Sequence, residues 1–455
     1  MTIDFGSGKV SQLFRKLFFP TLLGMLGMSA MTAIDGIFIG HCIGSDGIAA
    51  INIICPLLML LTGVALMVGT GCSVVASIHL SRGQEKVARY NVTQALLLVT
   101  AVIAVPVAWM LAAPCQAGRW LGSSEHLLPL VTEYMVWYVP SWIFMGWTAV
   151  ALFVIRLDGQ PAYAMACSLT AAVLNVFLDW LFMFPLGWGM MGGALATSLS
   201  TAAGGLMAVA YLACRARRLR IAPIKLNAKS LRLTLRNVGY QCRIGSSALL
   251  GEATLAVLMF MGNLVFMRYL GDDGVGAFGI ACYYTPFIFM VGNAIAQSAQ
   301  PILSYNFGLG DRGRTRQAER TAIVAAAVCG LAVTAVFLLL PAGLVGLFVD
   351  PSVPAARIAA AGLPLFAAGF LPFIFNITAV GYFQSVERVR PAVVFALLRG
   401  LVLLVPAFLL LPRWLGAQGI WLAMPAAELL TAFSVVAFYA WGRRGRPRPV
   451  RALGA

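Results

Sequence analysis

Two aspartates in the first half of the chain, Asp35 and Asp179, stand in stretches that are otherwise almost wholly apolar. Asn175 precedes Asp179 by four residues, so the two side chains share one face of a helix. Thr197 and Tyr134, in neighbouring apolar stretches, each add a hydroxyl. Carboxylates and neutral oxygens are the ligands of hard cations, and two close carboxylates can share a proton. The five residues therefore predict a cation-binding and coupling site for Na⁺ or H⁺. If the ion is Na⁺, we expect it at Asp35, Asn175, Asp179 and Thr197.

A second set of polar residues lies within apolar stretches of the second half. Ionisable groups in hydrocarbon are costly, so each is a candidate for function. We predict that the substrate cavity is lined by Glu252, Gln297, Gln300, Asn376 and Arg399. Two interpretations of Glu252 stay open, because it could bind a cation or a cationic substrate, or pair with Arg399 at a similar depth. Glu428 receives no assignment.

The composition is that of a membrane protein. The chain has 455 residues, of which 60% are hydrophobic and 11% charged, and its mean hydropathy is +0.88. A soluble domain is about one quarter charged, so a soluble enzyme, a disordered protein and a secreted disulfide scaffold are excluded. The net charge of +16 is explained by basic cytoplasmic loops. We therefore expect no nucleic-acid partner.

Twelve apolar stretches are long enough to cross a bilayer, which takes roughly 20 residues each. They lie near 14–39, 48–79, 91–113, 128–155, 161–186, 190–214, 244–270, 275–305, 319–348, 357–384, 392–411 and 418–441. With the N-terminus inside, 27 of the 32 Lys and Arg residues fall in inside segments and four in outside segments, while Arg399 lies within a span. Basic residues gather on the cytoplasmic side. We predict an all-α, multi-pass protein of the plasma membrane, a bacterial inner membrane, with both termini cytoplasmic.

Depth brings the first set of residues together. At 1.5 Å per residue, Asp35 lies roughly 7 Å below the outer end of the first span, and Asp179 and Thr197 lie roughly 10 Å deep in theirs. Tyr134 reaches a similar depth on the fourth span. An alternative stays open, in which the two aspartates serve only as hydrogen-bond acceptors between helices.

The sequence repeats itself after half its length. At a shift of 227 residues Gly44 meets Gly271 and Gly189 meets Gly416, and a shift of 230 brings Gln160 onto Arg390. Two halves of six helices each, inserted with the same orientation, are a transporter architecture with the substrate site between the halves. We predict a first lobe at 1–220, a basic linker at 221–243, and a second lobe at 244–455 that ends in a basic tail.

These motifs resemble those of the multidrug and toxic compound extrusion (MATE) transporters over nearly the whole chain. The segments that carry the resemblance are Pro20, Ile34-Asp-Gly-Ile-Phe-Ile-Gly40, Gln160-Pro161, Asn175 to Asp179, and Gln300-Pro-Ile-Leu-Ser-Tyr-Asn-Phe-Gly308. The resemblance implies cation-coupled export of amphipathic, often cationic compounds. It also implies that Asp35, Asn175, Asp179 and Thr197 form the cation site of the first lobe. Glu252 is similar to the seventh-helix acid of one subgroup. That subgroup also uses an acid on the tenth helix, where this chain has only Asn376 before Glu387 at the helix end.

The sequence contains no nucleotide-binding motif, so we expect an ion gradient to drive transport and no cofactor beyond the coupling ion. The three histidines lie near helix ends and form no catalytic constellation, so we do not expect an enzyme. The alternative is a flippase for lipid-linked oligosaccharides, but Arg399 is the only basic cavity candidate for a phosphate. We expect a monomer in the lipid bilayer whose partners are the ion and a small organic substrate.

Overall fold

The computed structural model describes residues 4–223, 228–347, 350 and 352–444, and within these ranges it is helical with no strand. The helices of the first half are α1 (Val10–Cys42), α2 (Ser45–Ser81), α3 (Glu85–Ala112), α4 (Pro114–Trp120), α5 (Leu128–Tyr138), α6 (Trp142–Leu157), α7 (Pro161–Met183) and α8 (Gly189–Ala210). A 3-10 turn, Val139–Ser141, joins α5 to α6, so the two form one apolar span.

The second half begins with the long helix α9 (Ala228–Leu309), which is interrupted at Gly271. Its other helices are α10 (Arg312–Leu339), α11 (Pro341–Gly346), α12 (Pro354–Ala367), α13 (Phe370–Ser385), α14 (Val389–Leu397) and α15 (Leu404–Arg444). A π-helical turn, Leu398–Val402, joins α14 to α15. Gly416 interrupts α15 with non-helical backbone angles.

Among the described residues, ten helices are long and apolar enough to cross a membrane, or eleven if the bent pair α12 and α13 counts as one span. Twelve were predicted. The difference lies at the end of the chain, where the predicted eleventh and twelfth spans are both part of the 53-residue apolar helix Val389–Trp441.

The two halves repeat their turns, which supports the internal duplication. Gly44 and Gly271 both have positive φ angles, of 87° and 65°. The predicted shift of 230 in a later turn is corrected to 228, because Glu387 (φ 55°) occupies the position of Gly159 (φ 87°). The residue after each, Gln160 or Arg388, donates its backbone N–H back to the preceding helix. Gln160 therefore corresponds to Arg388 and not to Arg390.

The halves meet at one end of the bundle, which carries Arg82 and Arg217 in its connecting segments and Arg314 in the first turn of α10. We call it the basic end. Near this end α2 packs against both segments of α9, at Gly245 before the break and at Gly308 after it. The backbones touch at glycines, since a Cβ on Gly71 or Gly245 would overlap a main-chain carbonyl of the facing helix. Small residues permit this close approach of membrane helices.

The chain that leaves α8 is fastened to the first half. Asp158, just after α6, accepts hydrogen bonds from the Tyr211 hydroxyl at 2.8 Å and from the backbone N–H groups of residues 217, 218 and 219. Of the predicted linker 221–243, the part from Ala228 onward is already helical, and residues 224–227 lie outside the described residues. The predicted basic tail from residue 445 also lies outside them. The lobe boundaries stay a prediction.

Candidate functional site

The first set of predicted residues comes together where α1, α5, α7 and α8 meet. Asn175 and Asp179 are fully buried on α7, and Tyr134 and Thr197 are nearly so. The Asn175 Nδ2 donates to the Thr197 Oγ1 at 3.3 Å, and that hydroxyl donates to the backbone carbonyl of Gly193 at 3.0 Å. With its Nδ2 bonded to Thr197, Asn175 has no partner for its Oδ1 within the described part of the chain, and its amide group lies next to the Asp179 carboxylate.

Four oxygens of this cluster are buried without a hydrogen-bond partner among the described residues. They are Oδ1 of Asp35, Oδ1 of Asn175, and both carboxylate oxygens of Asp179. The two carboxylates lie close enough for their charges to interact, and the Tyr134 hydroxyl lies within range of both. Buried polar atoms without a partner are rare and costly in native proteins. Two negative charges and neutral oxygens without a basic partner fit a bound monovalent cation or a proton.

Small residues let the helices approach closely enough to form this cluster. Gly24 and Gly27 of α1 face α7, and a Cβ on Gly27 would lie 2.7 Å from a methyl carbon of Leu169. On α8, Gly193 packs against Ile39 of α1 and Met183 of α7. Because glycine has no side chain, α1 and α8 can pack closely against α7 at these positions.

Two neighbours of the cluster were missed from the sequence, Tyr138 and Cys55. Tyr138 lies one turn after Tyr134 with the two ring centroids 5.1 Å apart, and both missed residues lie within electrostatic range of Asp35. The spacing of four residues from Tyr134 could have identified Tyr138. Cys55 offered no signal, because a single cysteine in an apolar stretch is indistinguishable from a small buried hydrophobic residue.

Four residues of the second predicted set line a cavity beside the interface between the halves. They are Glu252, Gln297, Gln300 and Arg399, and the first half contributes Leu66, Thr70 and Phe153. The cavity holds about 70 Å³, whereas pockets for drug-sized ligands measure roughly 300 Å³ or more. In this conformation it therefore has room for a few water molecules, and a bulky organic compound requires it to widen.

Arg399 pairs with Glu428 and not with Glu252, which overturns one of the two interpretations of Glu252. The Arg399 Nε and Nη2 lie 3.0 Å and 2.9 Å from Oε1 of Glu428. Asn376, predicted to line the cavity, lies outside its lining and donates from Nδ2 to Oε2 of Glu428 at 2.7 Å. Within the described residues, Glu252 has no ion-pair or hydrogen-bond partner.

Gln297 and Gln300 connect the two halves. Gln297 accepts a hydrogen bond at 2.7 Å from Nη1 of Arg156, a buried arginine at the end of α6. Gln300 is also buried and donates to the backbone carbonyl of Thr70 on α2 at 3.1 Å. Both glutamines therefore line the cavity and help to close it at the basic end.

Known proteins resemble this chain in sequence. A family model, MatE, matches twice, at residues 20–181 and 248–409, and the two matches start 228 residues apart (248 − 20). The multidrug export protein MepA of Staphylococcus haemolyticus is 24% identical, over 96% of this chain and 95% of its own. MepA of Staphylococcus aureus strain MRSA252 is 23% identical, over 94% and 93%.

Solved structures share the fold. One is an outward-facing conformation of a multidrug resistance MATE family transporter of the MOP superfamily, with a TM-score of 0.87, 22% identity and 96% of each chain covered. A MOP superfamily transporter from Pyrococcus furiosus has a TM-score of 0.86 and 20% identity, again over 96% of each chain. With the family model matched in both halves, this multi-pass membrane protein belongs to the MatE family of multidrug export transporters, which are not enzymes.

Proposed function

We propose that this protein is a secondary active exporter that exchanges a cation for amphipathic, often cationic organic compounds by alternating access. The observation that carries the proposal is the group of unpaired oxygens on Asp35, Asn175 and Asp179, buried together in one half. The relatives named as multidrug export proteins support organic compounds as the substrate class.

The geometry favours Na⁺ over H⁺ as the coupling ion. A proton shared by Asp35 and Asp179 would satisfy two oxygens and leave the Oδ1 of Asn175 without a partner. A Na⁺ ion takes several oxygen ligands at once, so it would satisfy Asn175 together with both carboxylates. The unpartnered Oδ1 of Asn175, whose Nδ2 is bonded to Thr197, supports this choice.

We further propose twelve membrane spans with both termini in the cytoplasm. The apolar helix Val389–Trp441 has 53 residues and would be about 80 Å long if straight, more than twice the roughly 30 Å of hydrocarbon. Its break at Gly416 supports a division into two spans, and the bent pair α12 and α13 then supplies one span. The basic end of the bundle would face the cytoplasm.

Helix α1 would couple the ion to the lobes. It carries Asp35 against α7, and it also packs against α9 and α10 of the second half. Binding of one monovalent cation from outside would lower the net charge of the two carboxylates from −2 to −1, which reduces the cost of keeping them apart from water. The helices α1, α7 and α8 could then repack, and α1 would transmit this change to the contact between the halves.

The lipid flippase is the less favoured reading. A pyrophosphate-linked lipid needs positive charge in the cavity, and within its described lining Arg399 is the one cationic residue. Its charge is already balanced by Glu428 at 2.9 Å. The cavity therefore offers little attraction to a phosphate.

The test is efflux of a fluorescent organic cation from proteoliposomes under separately imposed Na⁺ and H⁺ gradients. We expect the Na⁺ gradient to drive efflux, and Asp179→Asn and Asp35→Asn to abolish it. Asp46→Asn is the matched control, because Asp46 is an exposed aspartate paired with His126 outside the cluster. Efflux that is driven by the H⁺ gradient alone would show that the coupling ion is H⁺ and not Na⁺. Undiminished efflux in both cluster variants would refute the site.

A further inference from the structure

The second half contains a buried ion pair, Arg399 with Glu428, and both of its members make further contacts with neighbouring side chains. Glu428 and Arg399 are both about 3% exposed. Asn376 donates to the Oε2 and to the backbone carbonyl of Glu428. The Arg399 guanidinium lies over the Phe373 ring, 4.6 Å from its centroid, which adds a cation–π contact. Arg399 itself sits in the π-helical turn Leu398–Val402.

This ion pair determines which charge of the cavity lining stays without a partner. Arg399 and Glu252 line the same cavity from different helices, yet Arg399 is bonded to Glu428, behind the cavity wall. Glu428 and Asn376 do not belong to the lining. The cavity therefore presents one carboxylate that no cationic group of the described residues neutralises.

Without Glu428, Arg399 would have a single carboxylate available in the cavity it lines. A buried guanidinium without a counter-charge is strongly destabilising, and the long side chain of Arg allows its head to move. It would be drawn to Glu252, and the net charge of the pair would fall to zero. A cation entering the cavity would then lose its attraction.

We propose that Glu428 and Asn376 are positioning residues that hold Arg399 against Phe373 and so keep Glu252 free for an organic monocation. The inference rests on the proposed function, and it assigns the charge selectivity of the cavity to residues that do not touch the substrate. The ligand class is a lipophilic cation of single charge. Binding of uncharged amphipathic compounds should not depend on the position of Arg399.

The experiment measures equilibrium binding of tetraphenylphosphonium and of the uncharged dye Nile red to the purified full-length protein. Glu428→Gln should weaken binding of the cation about tenfold or more, equivalent to about 1.4 kcal/mol. Glu252→Gln should weaken it similarly. The double variant Arg399→Met with Glu428→Gln should bind the cation within about threefold of wild type, because Glu252 is free again. Binding of Nile red should stay unchanged in all variants that elute as monodisperse protein.

The recovery in the double variant distinguishes positioning from a purely structural role, in which removing the second partner would not restore cation binding. The inference is overturned if Glu428→Gln binds the cation as well as wild type does. It is also overturned if the double variant binds the cation as weakly as Glu428→Gln does. If wild type still exports cations under an ion gradient in that case, the proposed function stands. A wild-type protein that neither binds nor exports the cation overturns both.

Discussion

Gly245 offers a direct test of how the halves close at the basic end. It lies on α9 against α2, where a Cβ would overlap the main-chain carbonyl oxygen of Met67. Gly71 of α2 makes the reciprocal contact with the carbonyl of Gln241. The substitution Gly245→Ala would push the two helices apart at this crossing.

The magnitude follows from the atom that the new methyl group meets. A backbone carbonyl cannot rotate away as a side chain can, so overpacking of about 1–3 kcal/mol is expected. The penalty falls only on conformations in which α2 and α9 touch here. It should therefore shift the population towards a state open at the basic end by a factor of about 5–150.

The control is Gly239→Ala on the same helix, where a Cβ meets nothing within 4 Å. Alanine favours the helix by about 1 kcal/mol at either position, so intrinsic propensity cancels in the comparison. The reporter is Ser247→Cys, a buried cavity residue, in a background without the native cysteines.

The assay is the rate of labelling by a membrane-impermeant maleimide in inside-out vesicles. The rate should rise about 5–150-fold with Gly245→Ala and stay unchanged with Gly239→Ala. Equal rates in the two variants would show that the halves do not separate at this crossing, and the closure argument would be wrong.

Three further predictions concern the polar contacts of the basic end. Gln297→Leu should lower the free energy of unfolding by about 1–3 kcal/mol more than Arg156→Leu does. The reason is that Gln297→Leu leaves the buried Arg156 guanidinium without its acceptor. Thermal unfolding in detergent measures the difference. Asp158→Asn should cost about 1.5–3 kcal/mol in the same measurement, since a carboxylate that accepts three backbone N–H groups is lost. Arg314→Gln should speed hydrogen exchange around Phe5, because Arg314 donates to the carbonyl of Phe5 at 3.0 Å.

The placement of the carboxylate cluster could be predicted because few charged groups enter hydrocarbon. Asp35 and Asp179 stand out in apolar stretches, and counting residues from helix ends gives their depth. Depth was sufficient because α1, α7 and α8 are neighbours in the bundle, so residues at one depth meet. The buried, unpaired oxygens of Asp35 and Asp179 agree with this placement, while their role in coupling stays a prediction.

The partner of Arg399 could not be predicted in the same way. Glu252 and Glu428 lie at comparable depths, and depth does not tell which way a side chain points around its helix. The π-helical turn Leu398–Val402 adds a residue to one turn, which rotates Arg399 relative to a regular helix. Gly400 in this turn packs closely against Thr254 of α9. Nothing in the sequence around Arg399 signals the π-helical turn.

The number of spans shows a similar limit. Apolar length predicts how much helix lies in the membrane, but it does not tell whether a glycine breaks the helix or lies within it. Gly271 and Gly416 have positive φ angles, while Gly239 and Gly251 continue the helix α9. For locating the breaks between helices, the internal repeat is better evidence than apolar length, because Gly271 and Gly416 align with the turn glycines Gly44 and Gly189.

The duplication preserved the turns of the two halves but not their charges. At either shift, the 227 of the paired turn glycines or the 228 of the family match, Asp35 and Asp179 of the first half correspond to uncharged residues of the second, and Arg399 and Glu428 to uncharged residues of the first. At a shift of 228 those counterparts are Asn263, Ala407, Ala171 and Ser200, and at 227 they are Gly262, Pro406, Ala172 and Thr201. The first half therefore has two carboxylates without a basic partner, while the second has a balanced pair beside Glu252. In the exchange proposed above, a small cation and an organic cation need ligands of different size and chemistry. A repeat whose halves diverged in charge offers two such sets of residues on a single scaffold, and the proposed ion site and substrate site should then respond independently to mutation.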